Sequence, residues 1–167
     1  MRAAVFALEG ALARPMPGWR RLLRPAGEAP AAWRRHAATL VALHARCGHT
    51  TVLLTGAPER TALEARRQLR ADLVLALPRS ADAVWERPMR LTQFLEAYGL
   101  TTEGSYAYGG RYEDRLWLEL FTHPVAANPG FRLRRHALAA GWRRIDLDSA
   151  TPAPPPASPC NLPVTSA

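Results

Sequence analysis

The chain is 167 residues long, 48% hydrophobic and 22% charged, enough for one domain with a sizeable core and too little for two of ordinary size. No apolar run approaches the roughly 18 residues that cross a bilayer, and the N-terminal stretch lacks the long apolar core and cleavage site of a signal peptide, so a cytoplasmic protein with no membrane partner is expected. The formal net charge of +8 raises nucleic acid as a partner, but all 22 Lys+Arg residues are arginine, in spread pairs such as Arg20/Arg21, Arg66/Arg67 and Arg143/Arg144. That distribution reads as GC-rich coding bias and solvated helix faces more than as a nucleic-acid surface, which is kept only as an alternative. The two cysteines, Cys47 and Cys160, make neither a disulfide framework nor a metal cluster.

Ala4-Val5-Phe6-Ala7-Leu8 is a short apolar run closing on Glu9 and Gly10, the pattern of a buried strand that ends in a turn. In α/β proteins ligands sit outside the carboxyl ends of parallel strands, so this end is the first place to look for chemistry. Residues 13–30 are rich in Pro, Gly and Arg, with one short amphipathic piece, Gly18 to Arg24, held between Pro17 and Pro25. A helix is expected after Pro30, with Trp33, Ala37, Leu40, Val41 and His44 on one face and Gly48 ending it. Thr51 to Gly56 reads as a second strand. Pro58 and Glu59 open a helix with Ala62, Ala65 and Leu69 inward, and it delivers a third strand, Asp72 to Leu77.

Arg79 to Arg87 reads as a loop or an irregular helix start, followed by a helical stripe of Leu91, Phe94, Leu95 and Tyr98 that Gly99 closes. Ser105 to Tyr108 is a fourth strand, turning sharply at Gly109-Gly110. Glu113 to Phe121 is a short helix with Leu116, Trp117 and Leu120 inward, and Pro124 to Pro129 a fifth strand. A helix from near Phe131 to Ala140 leads into a sixth, Trp142 to Leu147. From Thr151 the composition turns to Pro, Ala and Ser without periodicity, which predicts a disordered tail over 151–167. Strand and helix alternating at this spacing predict one α/β domain over 1–150, a three-layer Rossmann-like parallel sheet with helices on both faces.

Val5-Phe6-Ala7-Leu8-Glu9-Gly10-Ala11-Leu12 resembles the first motif of the haloacid dehalogenase (HAD) superfamily, hydrophobic-hydrophobic-Asp-x-Asp-Gly-Thr-Leu. His44 to Leu77 resembles the second-motif region of its phosphoserine-phosphatase-like (IB-type) hydrolases, in which a helix ending in Gly precedes a strand capped by Ser or Thr. Ser105 to Leu147 resembles the fourth-motif region and C-terminal end of the same subfamily. The resemblance covers most of Ala3 to Leu147 and implies a HAD-like fold, with 13–47 as a reduced cap insert and first helix. A small cap leaves the cleft open to water.

What the resemblance implies for the site is uneven. Thr55 matches the hydroxyl that holds the transferred phosphoryl group, Asp114 the second acidic residue of the fourth motif, and Glu9 the general acid/base aspartate, one methylene longer. Ala7 replaces the nucleophile, Ala11 the motif threonine, and Gly110 the first fourth-motif aspartate. The chain has no lysine, so Arg87 or Arg90 is the nearest substitute for the third-motif lysine. An alanine methyl cannot attack phosphorus, and two carboxylates that would hold magnesium are missing together. No cofactor is expected, except magnesium if residual phosphatase activity exists.

If the resemblance holds, Ala7, Thr55 and Gly110 converge at the C-terminal edge of the sheet. Thr55, Gly56 and Arg111 are the candidate anion-binding residues, Arg111 through its bidentate fork. The five histidines do not fall at a metal-binding spacing, and packing or capping is expected of His44 and His123. Tyr106 and Tyr108 alternate onto one strand face. The expected function is that of a catalytically degenerate phosphatase-like protein that binds an anionic ligand or an unknown protein. The alternatives are a weak phosphomonoester hydrolase using Glu9 and Asp114, and an arginine-mediated binder of nucleic acid or an acidic partner.

Overall fold

The computed structural model describes residues 1–14, 33–77 and 83–149. Among them, strands β1 (Arg2–Ala7), β2 (Thr50–Thr55), β3 (Leu73–Ala76), β4 (Thr101–Gly109), β5 (His123–Ala127) and β6 (Arg143–Ile145) form one sheet in the order β3-β2-β1-β4-β5-β6. Every pairing is parallel. The chain therefore runs outward from β1 to β3, crosses back to β4 beside β1, and runs outward again to β6. The crevice where those two directions diverge lies outside the carboxyl ends of β1 and β4.

Helices α1 (Ala37–Arg46), α2 (Glu59–Leu69), α3 (Ala83–Ala97), α4 (Arg115–Leu118) and α5 (Phe131–Ala139) connect the strands. Contacts link α1 with α2 and α3 with α4, as expected when right-handed crossovers place the two runs on opposite faces. The core follows from the apolar strands: Phe6, Leu53, Tyr108, Trp117 and Leu91 are fully buried. The helix ends obey local chemistry. Gly48, with φ of +76°, carries the left-handed turn after α1, and Pro58 precedes Glu59 in the first turn of α2. None of the described helices is long and apolar enough to cross a membrane.

Several expectations move. Helix α3 starts at Ala83 and carries Pro88 inside it, so proline costs one backbone hydrogen bond there without stopping the helix. The expected helix over Glu113 to Phe121 is a 3-10 turn, Tyr112–Asp114, followed by α4, which ends at Leu118. Leu120 consequently lies past the helix and is 41% exposed, while Leu118 takes the inward position beside Trp117. The amphipathic piece at Gly18 to Arg24, most of the cap insert and the tail over 151–167 lie outside the described residues.

Strand β4 begins irregularly. Arg2 pairs with Thr101 but Ala4 with Tyr106, so β4 bulges, with Gly104 at φ of +67°. The amide of Ala3 would lose its ladder acceptor there. It donates instead to Ser105 Oγ at 2.8 Å, and the same hydroxyl donates to the Thr101 carbonyl at 2.6 Å. Ser105→Ala should thus strand a buried amide and lower stability by about 1–3 kcal/mol, measured as a shift of the urea midpoint at unchanged slope.

Candidate functional site

The loops after β1, β2 and β4 meet at the crevice. Ala7, 5% exposed, ends β1, and its methyl is the side chain nearest the turn. Thr55 ends β2, and its hydroxyl donates to Glu9 Oε1 at 2.7 Å while accepting the Ala57 amide at 3.0 Å. The Gly56 amide points at Glu9 Oε2 from 3.4 Å. The Glu9 carboxylate thus sits where a hydroxyl and a backbone N–H converge, an arrangement suited to any oxyanion. Its extra methylene lets it reach β2 from the β1 loop.

On the other side of β1 the two glycine turns touch. A β-carbon on Gly110 would fall 2.4 Å from the Gly10 carbonyl carbon, 2.5 Å from its oxygen and 2.8 Å from the Ala11 amide nitrogen. Gly10, at φ of +94°, packs against the Arg111 side chain, whose Cγ would lie 3.1 Å from an added β-carbon. A side chain at position 110 would therefore run into backbone. Ala11 is fully buried.

Asp114 is turned into the protein and is 2% exposed. Its Oδ2 accepts the Gly110 and Arg111 amides, each at 2.9 Å, and its Oδ1 accepts Trp117 Nε1 at 3.3 Å. Arg87 Nη1 lies 4.0 Å from the same Oδ1, and Arg87 Nε is buried without a hydrogen-bond partner. Burial pushes the Asp114 carboxyl above its ordinary value, against the pull of the two amides, the indole N–H and the Arg87 charge. The carboxylate organises the β4 turn from beneath and does not present itself to solvent.

Of the candidate residues, Glu9, Thr55, Gly56, Arg111, Asp114, Ala7, Ala11 and Gly110 lie around one crevice. Arg87 borders it, whereas Arg90 points away and pairs with Glu86 at 3.1 Å on the exposed side of α3. Of the two, Arg87 is the one that approaches Asp114. What sequence reading missed is the contact of Gly10 with Gly110. No local signal pairs the two turns; the adjacency of β1 and β4 in the sheet does.

This donor set does not fit magnesium. The ion takes near-octahedral oxygen ligands, but Ala7 offers none, Gly110 has no space for one, and the Asp114 oxygens are engaged by N–H donors. Among the described residues no group of three or more His, Cys, Asp or Glu side chains is arranged to hold a metal.

The fold has counterparts among solved structures. It is similar to a protein of unknown function from Bordetella pertussis Tohama I, at 20% identity over 87% of this chain and 98% of that one, with a TM-score of 0.68. It is similar to phosphoserine phosphatase in its apo form, at 11% identity over 80% and 90% of the two chains, with a TM-score of 0.62. The cobalt-bound deoxy-D-mannose-octulosonate 8-phosphate phosphatase of Haemophilus influenzae is also similar, at 13% identity over 81% and 74%, with a TM-score of 0.58. At these identities the likeness is one of fold, the Rossmann-like α/β fold of HAD-family hydrolases. No family model and no curated protein matches the sequence.

Proposed function

We propose that this chain, built on the fold of HAD-family hydrolases, is a catalytically degenerate relative that acts by binding and not by phosphoryl transfer. The observation that carries the reading is the closure of Gly110 onto the Gly10 backbone, 2.4 Å from a β-carbon to the carbonyl carbon. A substituted active site would leave an empty space where the carboxylate had been. Here the two turns have closed that space, so a metal-binding carboxylate cannot be accommodated without moving main chain.

The rest of the crevice supports the same reading. In-line attack on phosphorus needs a nucleophile at position 7, where a methyl group stands. The Thr55 hydroxyl and Gly56 amide, which would hold a phosphoryl oxygen, are directed at the Glu9 carboxylate. Glu9 thus acts as an internal anion that fills the phosphate seat and competes with any external one. The weak-hydrolase alternative needs Asp114 as a working acid, but that carboxylate is committed to two amides and an indole. The protein is expected to work in the cytoplasm, on a protein or anionic ligand.

The test is hydrolysis of p-nitrophenyl phosphate with magnesium by the full chain, beside Glu9→Gln and a Glu9→Gln, Asp114→Asn double variant. The expected outcome is a rate equal to the buffer blank in all three. Turnover by the parent that Glu9→Gln abolishes would make the crevice an active site and overturn the reading.

A further inference from the structure

A second concave site lies at the opposite ends of the strands, over β4, β5 and β6. Cross-strand neighbours in a parallel sheet share a face, so Tyr106 lies beside His123, and Tyr108, Val125 and Arg143 lie in a row. The rings of His44 on α1 and of Tyr106 and Tyr108 are in contact, which places this row on the α1 side of the sheet. Beside this row, at the amino ends of β5 and β6, lies a cavity of about 560 Å³. That is within the range of sites that take small molecules, roughly 300–1,000 Å³.

Its walls are the segments that lead into β5 and β6. Phe121, His123 and Val125 come from the first of these, Trp142 and Arg143 from the second, and Tyr106 from β4. Tyr106 is 7% exposed, and the His123 ring stacks on it at 4.6 Å and 27°. The stacked Tyr106 and His123 rings suit a flat apolar body.

The charge is one-sided. Residues 130–145 include five arginines and no acidic residue. Glu119 is the carboxylate lining the cavity, and its Oε1 lies 3.2 Å from His136 Nε2, an ion-pair distance that turns the acid toward α5. A guanidinium in an aromatic wall favours a carboxylate or phosphate, which it engages through its two-pronged fork.

We propose that this cavity binds a small planar anion, an aromatic or heteroaromatic carboxylate or phosphate, with its ring against the aromatic walls and its charge at Arg143. The site is separate from the Glu9–Thr55 crevice, and the proposal stands whether or not that crevice is catalytic. Ligands in the cavity rest on the amino ends of β5 and β6, whereas the crevice lies beyond the carboxyl ends of β1, β2 and β4.

Isothermal titration of the full chain with 1-naphthoate, 1-naphthyl phosphate, neutral 1-naphthol and inorganic phosphate tests it. Both aromatic anions should saturate one site, and 1-naphthol should bind at least about tenfold more weakly for want of the charge contact. Inorganic phosphate should not displace 1-naphthoate. Arg143→Gln should weaken the anions about tenfold or more, and Thr55→Val should leave them unchanged. His123→Glu, an exposed position, places a repelling charge at the mouth; it should weaken them likewise, and it decides the matter if Arg143→Gln does not fold. No saturable binding, equal binding of naphthol and naphthoate, or loss of binding in Thr55→Val but not in the cavity variants would each overturn the proposal.

Discussion

Gly110→Ala is expected to cost about 3 kcal/mol or more, at or beyond the upper end of ordinary overpacking. The new β-carbon would meet the Gly10 carbonyl carbon at 2.4 Å, its oxygen at 2.5 Å and the Ala11 nitrogen at 2.8 Å. All three are main-chain atoms, so no rotamer change relieves the contact, and the β1 and β4 turns must separate. Those turns also carry the amides of Gly110 and Arg111 that satisfy the buried Asp114 carboxylate. Moving them exposes or strands that charge, which adds to the penalty. Against a total stability of about 5–15 kcal/mol for a domain, a loss of this size brings unfolding near physiological temperature.

Gly48→Ala is the matching control. Gly48 has φ of +76° and nothing within 4 Å of its added β-carbon, so alanine there costs only the left-handed conformation, about 1 kcal/mol. Urea midpoints of the two variants separate space from conformation. Gly110→Asp, which returns a carboxylate to the fourth-motif position, should destabilise at least as much as Gly110→Ala. If Gly110→Ala instead lies within about 0.5 kcal/mol of the parent, a neutral surface-like change, then the turns part freely. A metal-binding carboxylate would fit, and the case for a closed crevice would fail.

The order of strands and helices was legible because each strand is a compact apolar run bounded by Gly, Pro or an acid, as in Ala4 to Gly10 and Thr51 to Gly56. The meeting of Thr55 with Glu9 follows from that order, since β1 and β2 are parallel neighbours. The contact of Gly110 with Gly10 was not legible. Gly109-Gly110 read as a locally cheap turn, and its true constraint comes from a loop one hundred residues away. Nor did spacing separate Arg87 from Arg90, which stand on nearby faces of one helix turn. An i,i+4 partner, Glu86, draws Arg90 outward.

Lowering the pH from 7 to 4 should destabilise the fold by about 3 kcal/mol through a single buried histidine, at 1.36 kcal/mol per pKa unit. His44 is fully buried, and burial, with His49 beside it, pushes its imidazole down to about 3 from 6.5. The contacts limit the protons that the His44–His49 pair can hold. His44 Nδ1 faces His49 Nδ1 at 3.0 Å and His44 Nε2 faces the Tyr108 hydroxyl at 2.7 Å. One ring nitrogen in the first contact must lack a proton, because two N–H groups cannot point at each other. His49 is lowered by burial and by the charges of Arg2 and His123, and burial raises Tyr108, so no group in contact offers a compensating negative charge.

The sign follows from proton counts. Above pH 6.5 His44 is neutral in both states and contributes no pH dependence. Below it the unfolded chain takes up a proton that the folded chain refuses until about 3, so stability falls throughout that window. Asp148, held down to about 2 by Arg14 and Arg34, loses its contribution only below its ordinary value of 3.8. Asp114, being raised, acts in the opposite sense, gaining stability as its folded form is protonated. Between pH 6.5 and 4 His44 and His49 lower stability as the pH falls, and Asp114 opposes them. A His44→Phe, Tyr108→Phe double variant keeps the ring packing with Phe6 and removes the buried hydroxyl that the single change would strand. Its urea midpoints at pH 8, 6, 5 and 4 should fall much less steeply than those of the parent. Parallel curves for the two proteins would mean that His44 binds its proton in the folded state.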